Sequence, residues 1–169
     1  MILVTYSTKY GSTKEVAEAV AAAMQEAGAL VETRPMRDVP SLDAYDGLVL
    51  GTALYMGSMH ADARRFLSTH RAALAARPAA LFILGPVQKI EKDWDGARQQ
   101  LKKQLAKYPW FTPVSAEILG GAFDPKKLGF PLTLIPALRK MPPNDCRDWQ
   151  AIGAWAREQI ALLQPARPA

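Results

Sequence analysis

Three short runs of the chain are almost free of polar side chains. They are Ile2 to Tyr6, Gly47 to Gly51 and Ala79 to Leu84. Runs of that length and purity are the mark of strands buried on both faces of a sheet. Leu30 to Arg34 alternates in polarity and predicts a strand near a sheet edge, and Ser115 to Phe123 predicts the last strand. Between these runs the apolar positions change to a helical period. Lys14 to Ala27 carries Val16, Val20 and Met24 at i, i+4 and i+8, and Gly28 ends it. Phe66, Leu67, His70 and Leu74 share a face that runs to about Ala76, which places His70 as a core histidine. Trp94, Ala97, Leu101, Leu105 and Tyr108 mark another helix, with Lys102, Lys103 and Lys107 on its solvated side. Asp145 is expected to cap a final helix bearing Trp149, Ile152, Trp155, Ile160 and Leu163. Pro35 to Ala44 and Thr52 to His60 are read as connections. Five strands alternating with helices imply an α/β fold, a parallel sheet with helices on both faces. No internal repeat is present. The expected organisation is one domain over 1–163 with an extended loop at 124–143, followed by a disordered Pro/Ala tail at 164–169.

Composition narrows the classes. Cys146 is the only cysteine among 169 residues, so an intrachain disulfide and a multi-cysteine metal site are both excluded. That usage suits a reducing, cytoplasmic setting. No His/Asp/Glu cluster has metal-ligand spacing, so no metal is expected. Met1 to Val4 lacks a basic n-region and is not read as a signal peptide. No uncharged apolar run reaches the roughly 18–20 residues that span a bilayer. A net charge of +5 suits an anionic partner or surface. That charge is spread out and no groove-reading motif accompanies it, which argues against nucleic acid.

The chemistry gathers where strands give way to loops. In such sheets ligands bind beyond the carboxyl ends of the strands, where the strand order switches. After the first strand come Ser7, Thr8, Lys9, Tyr10, Gly11, Ser12 and Thr13, then a helix. A turn over Gly11 presents hydroxyls and exposed N–H groups at the positive end of a helix dipole, a nest for a single phosphate. The spacing matches neither the loop that holds nucleotide triphosphates nor the dinucleotide fingerprint. The second loop, Thr52, Ala53, Leu54, Tyr55, Met56 and Gly57, is apolar and aromatic where a surface loop is normally polar. It suits a flat apolar ring, with Tyr55 as the stacking side chain. Met56 and Met59 read as packing residues. His60 is a candidate either for orienting a substrate or for capping the next helix. The third loop, Gly85, Pro86, Val87 and Gln88, offers backbone donors and a side-chain amide. A phosphate joined to a flat ring with polar edges describes flavin mononucleotide (FMN).

These motifs carry a family resemblance. Thr8-Lys9-Tyr10-Gly11-Ser12-Thr13 resembles the [ST]-x-T-G-x-T phosphate loop of the flavodoxin family, with Tyr10 in place of a threonine. Tyr45 to Thr52, followed by Tyr55-Met56-Gly57, is similar to that family's third strand and ring loop. Within the family, the loop Tyr55-x-Gly57-x-x-His60 and the basic, apolar stretch after the last strand look most like the menaquinone-dependent protoporphyrinogen oxidase branch. The resemblance implies a doubly wound sandwich with strand order 2-1-3-4-5, bound FMN, and an oxidoreductase that takes electrons from an organic substrate, such as a porphyrinogen, and passes them to a quinone or a redox protein. The alternative is an electron carrier of the flavodoxin type without a small-molecule substrate. Carriers of the family tend to be acidic, as the resemblance implies, and this chain is basic. The stretch Asp124 to Pro143 has Lys126, Lys127, Arg139 and Lys140 around an uncharged centre, Leu128 to Leu138. Pro131 and Pro136 interrupt any long helix there. Two readings stand: a structured loop folded back on the domain, or a flap near the ring that touches the inner face of the membrane, where quinone is found.

Overall fold

The computed structural model describes residues 1–55, 57–129 and 132–164. In chain order its elements are β1 (Ile2–Tyr6), α1 (Ser12–Glu26), β2 (Val31–Pro35), β3 (Gly47–Tyr55), β4 (Ser58–Met59), α2 (Ala61–Thr69), α3 (Arg71–Ala75), β5 (Ala79–Leu84), α4 (Glu91–Leu105), β6 (Ser115–Leu119), β7 (Ala122–Phe123), α5 (Pro136–Lys140), β8 (Asn144–Asp145) and α6 (Trp149–Leu163). The parallel strands lie side by side as β2-β1-β3-β5-β6. Counted along the chain without the short β4, that is the order 2-1-3-4-5. The expected flavodoxin-like α/β architecture is therefore what the backbone forms. The tail from residue 165, Met56 in the ring loop, and Phe130 and Pro131 in the flap lie outside the described residues.

Alternation of side chains along each strand builds the two halves of the core. Val4, Val49 and Phe82 face α1 and α6, where Val16, Val20, Ile152 and Trp155 meet them. Leu3, Leu50 and Leu81 face the other way, onto Phe66 and Leu67 of α2 and Leu101 of α4. Because both faces are covered, the central strands are apolar apart from the buried threonines Thr5 and Thr52. Gly51 interrupts that rule for a steric reason. A Cβ there would lie 2.2 Å from the Phe82 ring, which is fully buried and meets the Trp155 ring edge-on at 6.0 Å between centroids.

Four boundaries differ from the sequence expectation. The stretch Thr52 to His60 is not a surface loop: β3 continues through Tyr55 and turns back into β4, with Thr52 wholly buried. The last strand is split, because Gly120 lies against the backbone of Cys146, where a Cβ would sit 1.9 Å from the Cys146 carbonyl. Helix α2 ends at His70, which starts α3 instead of lying within one continuous helix; its partly buried ring lies tilted against Phe66 at 4.6 Å between centroids. The cap of the last helix is Asp148, whose carboxylate accepts the Ala151 N–H at 2.9 Å, while Asp145 belongs to β8.

Gly51→Ala is expected to lower stability by about 1–3 kcal/mol through overpacking against Phe82. Adding Phe82→Leu should recover part of that loss, so the double variant is less unstable than the sum of the singles. Urea unfolding of the four proteins measures the coupling; strict additivity would show that the ring is not the obstacle.

Candidate functional site

A cleft of about 540 Å³ opens beyond the carboxyl ends of β1, β3 and β5. Tyr10 and Ser12 form one wall, Ala53, Leu54 and Tyr55 a second, and Gly85 and Val87 a third. The stretch after β7 closes over it, with Leu128, Leu132 and Leu138 lining the inside. Other side chains of the same stretch face outward: Leu134 is 68% and Ile135 44% exposed.

The first loop turns at Gly11, whose φ of 93° lies in the left-handed region that side chains disfavour. Its N–H donates to the Thr8 hydroxyl at 2.9 Å. Helix α1 starts at Ser12, earlier than the periodicity suggested, and no side chain caps it. The first-turn N–H groups therefore lack the partners a cap would supply. The hydroxyls of Tyr10 and Thr13 are buried and have no hydrogen-bond partner among the described residues. An anion at this helix start would find unpaired N–H groups and the dipole's positive end together, and the unsatisfied Thr13 hydroxyl belongs to the same turn. Ser7 plays a different part: its buried hydroxyl donates to that of Thr52 at 2.8 Å, joining the ends of β1 and β3.

The Tyr55 phenol accepts the Lys9 N–H at 3.3 Å, and its ring meets Tyr10 edge-on at 6.2 Å and His60 at 5.8 Å. Burial pushes the Tyr55 phenol up from its ordinary range, with the Lys9 N–H opposing, so the hydroxyl stays neutral and able to donate. His60 caps α2: its Nδ1 accepts the Asp62 N–H at 3.3 Å. Gly57 turns the hairpin with φ 77°, and its carbonyl accepts from the Gln104 amide at 2.7 Å. Gln104 is almost fully buried on α4, and Lys107 donates to its other end at 3.3 Å. In the third loop, Gly121 N–H donates to the Pro86 carbonyl at 2.9 Å. Gln88 is exposed; its backbone carbonyl accepts from the Trp94 indole at 3.2 Å.

An ion network joins the roof to the floor. Arg147 holds Asp145 through Nε at 2.9 Å and Nη2 at 2.6 Å, and its Nη1 bonds Glu15 in the first turn of α1. Lys127 reaches the other oxygen of Glu15 at 3.2 Å. The Arg147 guanidinium also lies 4.6 Å from the centre of the Trp149 ring. Hydrogen bonds from Arg147 hold the carboxyls of both Glu15 and Asp145 below the usual carboxylate range.

Sheet order, the switch point and the cleft agree with one established group. The family model for the flavodoxin domain matches residues 3–140. The chain belongs to the flavodoxin family. Over 167 residues, 92% of each chain, it is 26% identical to the protoporphyrinogen IX dehydrogenase [quinone] of Escherichia coli strain K12. Two solved flavodoxins share the fold. The two-electron reduced protein of Megasphaera elsdenii superposes with a TM-score of 0.55 at 18% identity, covering 94% of this chain and 99% of its own. Oxidised flavodoxin 1 of Bacillus cereus gives 0.58 at 15% identity, covering 94% and 96%.

Of the residues singled out from sequence, the cleft brings together Tyr10, Ser12, Ala53, Leu54, Tyr55, Gly85 and Val87. Ser7, Thr8 and Thr52 brace the loops from behind, and Gln88 faces away. Glu15, Gln104, Asp145 and Arg147 were not anticipated. For Gln104 a signal existed, since it lies three residues after Leu101 and one turn before Tyr108 on the apolar face of α4. Glu15 and Arg147 are 132 positions apart, and no local pattern links them.

The depressed carboxyls fix how the roof responds to acid. A carboxyl with a lowered folded pKa contributes its stabilisation above its unfolded value and loses it as pH falls through the folded one. Protection of the 124–145 amides from hydrogen exchange, corrected for intrinsic rates, should therefore hold from neutrality down to the ordinary carboxylate range and fall below it. Arg147→Ala should show the low protection already at neutral pH. Unchanged protection in that variant would detach the network from closure of the roof.

Proposed function

We propose that this protein is an FMN-dependent oxidoreductase that oxidises a porphyrinogen and passes the electrons to a quinone. The observation that carries the reading is the roofed cleft. A protein that only exchanges electrons with other proteins needs an open ring edge. Here leucines of the roof line a space that can shelter a flat apolar substrate. The name of the Escherichia coli relative supports the substrate and acceptor classes. The net charge of +5 is a poor match for the acidic docking face expected of a carrier.

The residues present fit the cofactor. The unpaired hydroxyls of Tyr10 and Thr13, with Ser12, Gly11 and Thr8, would take the phosphate at the start of α1. Tyr55, Ala53, Leu54 and Gly57 would flank the ring on one side, and the backbone of Gly85, Pro86 and Val87 would meet its polar edge, with Ser7 and Thr52 bracing the two loops. Bound there, FMN supplies the hydride acceptor. The chain supplies position and dryness. Gln104 fixes the hairpin that carries Tyr55, and Leu128, Leu132 and Leu138 exclude water from the reacting face. His60 holds a helix start and is not given a proton to move.

No helix among the described residues is long and apolar enough to cross a membrane. Contact with a quinone-bearing bilayer would instead use the outer side of the roof, where exposed Leu134 and Ile135 are followed by Arg139 and Lys140 in α5 and the turn Pro125–Lys127 adds exposed Lys126. Each basic residue near an anionic surface adds roughly 1 kcal/mol. The setting is then the cytoplasm, at the inner face of the cell membrane.

Thr13→Val should weaken FMN about 10- to 100-fold, as expected for a hydrogen bond to a charged group, and leave riboflavin nearly unchanged. Equal loss of both ligands in fluorescence titrations would remove the phosphate from this loop. Mixed anaerobically with a porphyrinogen, the FMN-loaded protein should lose its visible flavin absorbance, and a naphthoquinone added in excess should restore the colour and yield fluorescent porphyrin, the substrate giving up its electrons two at a time through the flavin. Retained colour with every organic donor would favour the carrier. For the membrane contact, the protein should float with anionic vesicles at low salt and not at high salt, and Lys126→Glu with Lys140→Glu should abolish flotation. Wild-type protein that never floats would end that part of the reading.

A further inference from the structure

We propose that Lys127 and Arg147 are the carboxylate-binding pair of the cleft, and that Glu15 occupies their hydrogen-bonding positions until an acidic ligand displaces it. The proposal rests on the reading of the cleft as a porphyrinogen site and names the side chains that would select its acid groups.

Among the described residues lining the cleft, Lys127 and Arg147 are the only cations. Most of the remaining lining is apolar, so a ligand carboxylate has few other charged partners. The two cations converge on one carboxylate from separate parts of the chain, Lys127 on one oxygen of Glu15 and Arg147 Nη1 on the other. That is the donor arrangement a bound carboxylate would require. Arg147 is held for the purpose. Its Nε and Nη2 are taken by Asp145, one face lies over Trp149, and its side chain is only 10% exposed. Asp145 therefore fixes the guanidinium plane while Nη1 stays directed at Glu15. Glu15 itself is held less firmly. Its side chain is 42% exposed on the first turn of a helix, and water is available to it if it swings away. Exchanging one carboxylate for another on the same donors leaves the pair charge-matched, so displacement does not strand a buried charge. A porphyrinogen carrying propionate groups has the matching chemistry: a broad apolar body with carboxylates at one edge.

The same cations stand near the start of α1, so an alternative anion is the FMN phosphate, and the experiment separates the two. The probes are protoporphyrin IX as the free diacid, its dimethyl ester, FMN and riboflavin, each titrated into purified protein, the porphyrins with the FMN-loaded form. Wild-type protein should bind the diacid more tightly than the ester. Arg147→Met should weaken the diacid about tenfold, as for loss of a charged hydrogen bond. Lys127→Met, whose side chain is 50% exposed, should weaken it by less. Both changes also loosen the roof, which affects diacid and ester alike, so the quantity read is the ratio of diacid to ester affinity, and it should fall in each variant. Glu15→Gln should raise the ratio of diacid to ester affinity, because it removes the competing anion. FMN affinity, unchanged in all three variants, reports that each is folded. Equal binding of diacid and ester by the wild type overturns the proposal, and so does a Glu15→Gln variant whose ratio of diacid to ester affinity falls. Loss of FMN but not riboflavin in the Lys127→Met or Arg147→Met variants would hand the pair to the phosphate and overturn it too. If neither porphyrin binds while FMN does, the porphyrinogen reading fails, and the carboxylate pair fails with it.

Discussion

A parallel sheet buried on both faces leaves little place for polarity except at and beyond its strand ends, and the location of the cleft follows from that constraint. Strands β1, β3 and β5 are closed in by α1 and α6 on one side and by α2 and α4 on the other. Right-handed crossovers bring the loops after those strands to one end of the sheet. The start of α1 arrives at that end as well, with uncapped N–H groups. The cleft lies where the topology concentrates unsatisfied backbone, and the residues around it refine a location the sheet has already determined.

What the loops add is stiffness, and most of it comes from outside the cleft. Ser7 ties its loop to Thr52, Gln104 holds the Gly57 carbonyl, Trp94 holds that of Gln88, and Gly121 holds that of Pro86. The floor is braced by neutral hydrogen bonds to neighbouring strands and helices. The roof is fastened by charge, through Glu15, Lys127, Arg147 and Asp145. Partly exposed ion pairs are weak and depend on salt and pH, whereas buried amide bonds are not so easily exchanged. Floor and roof therefore differ in how readily they open.

The sequence makes the strands legible because burial on both faces leaves an apolar run that needs no partner information to recognise. The position of the cleft follows from those runs together with the Gly11 turn. Other features depend on tertiary contacts that local pattern does not encode. Thr52 looks like the start of a polar loop, yet it is buried because its hydroxyl is matched by Ser7. Asp145 and Asp148 both suit a helix cap. The choice falls to Asp148 because Arg147 occupies Asp145. The break after Leu119 arises from the backbone of Cys146, which reaches Gly120 only once α6 is docked. Gln104 was legible in principle, since helical spacing placed it on the inner face, but a polar residue at a core position carries a signal only when its partner is known.

Ala122 pairs with Asp145 and Phe123 with Asn144, so the roof begins and ends on a two-stranded ladder of its own, separate from the main sheet. Such a stem makes the excursion a module. Doubling the length of a flexible loop costs only about 0.6 kcal/mol in closure entropy, and nothing between the two stem strands sets the register of the main sheet. A lineage can lengthen, trim or replace the stretch between them while β1, β3 and β5 keep their alignment. Floor and cover are thereby separable in the covalent chain: a change confined to the stretch between β7 and β8 leaves in place the strands that build the floor.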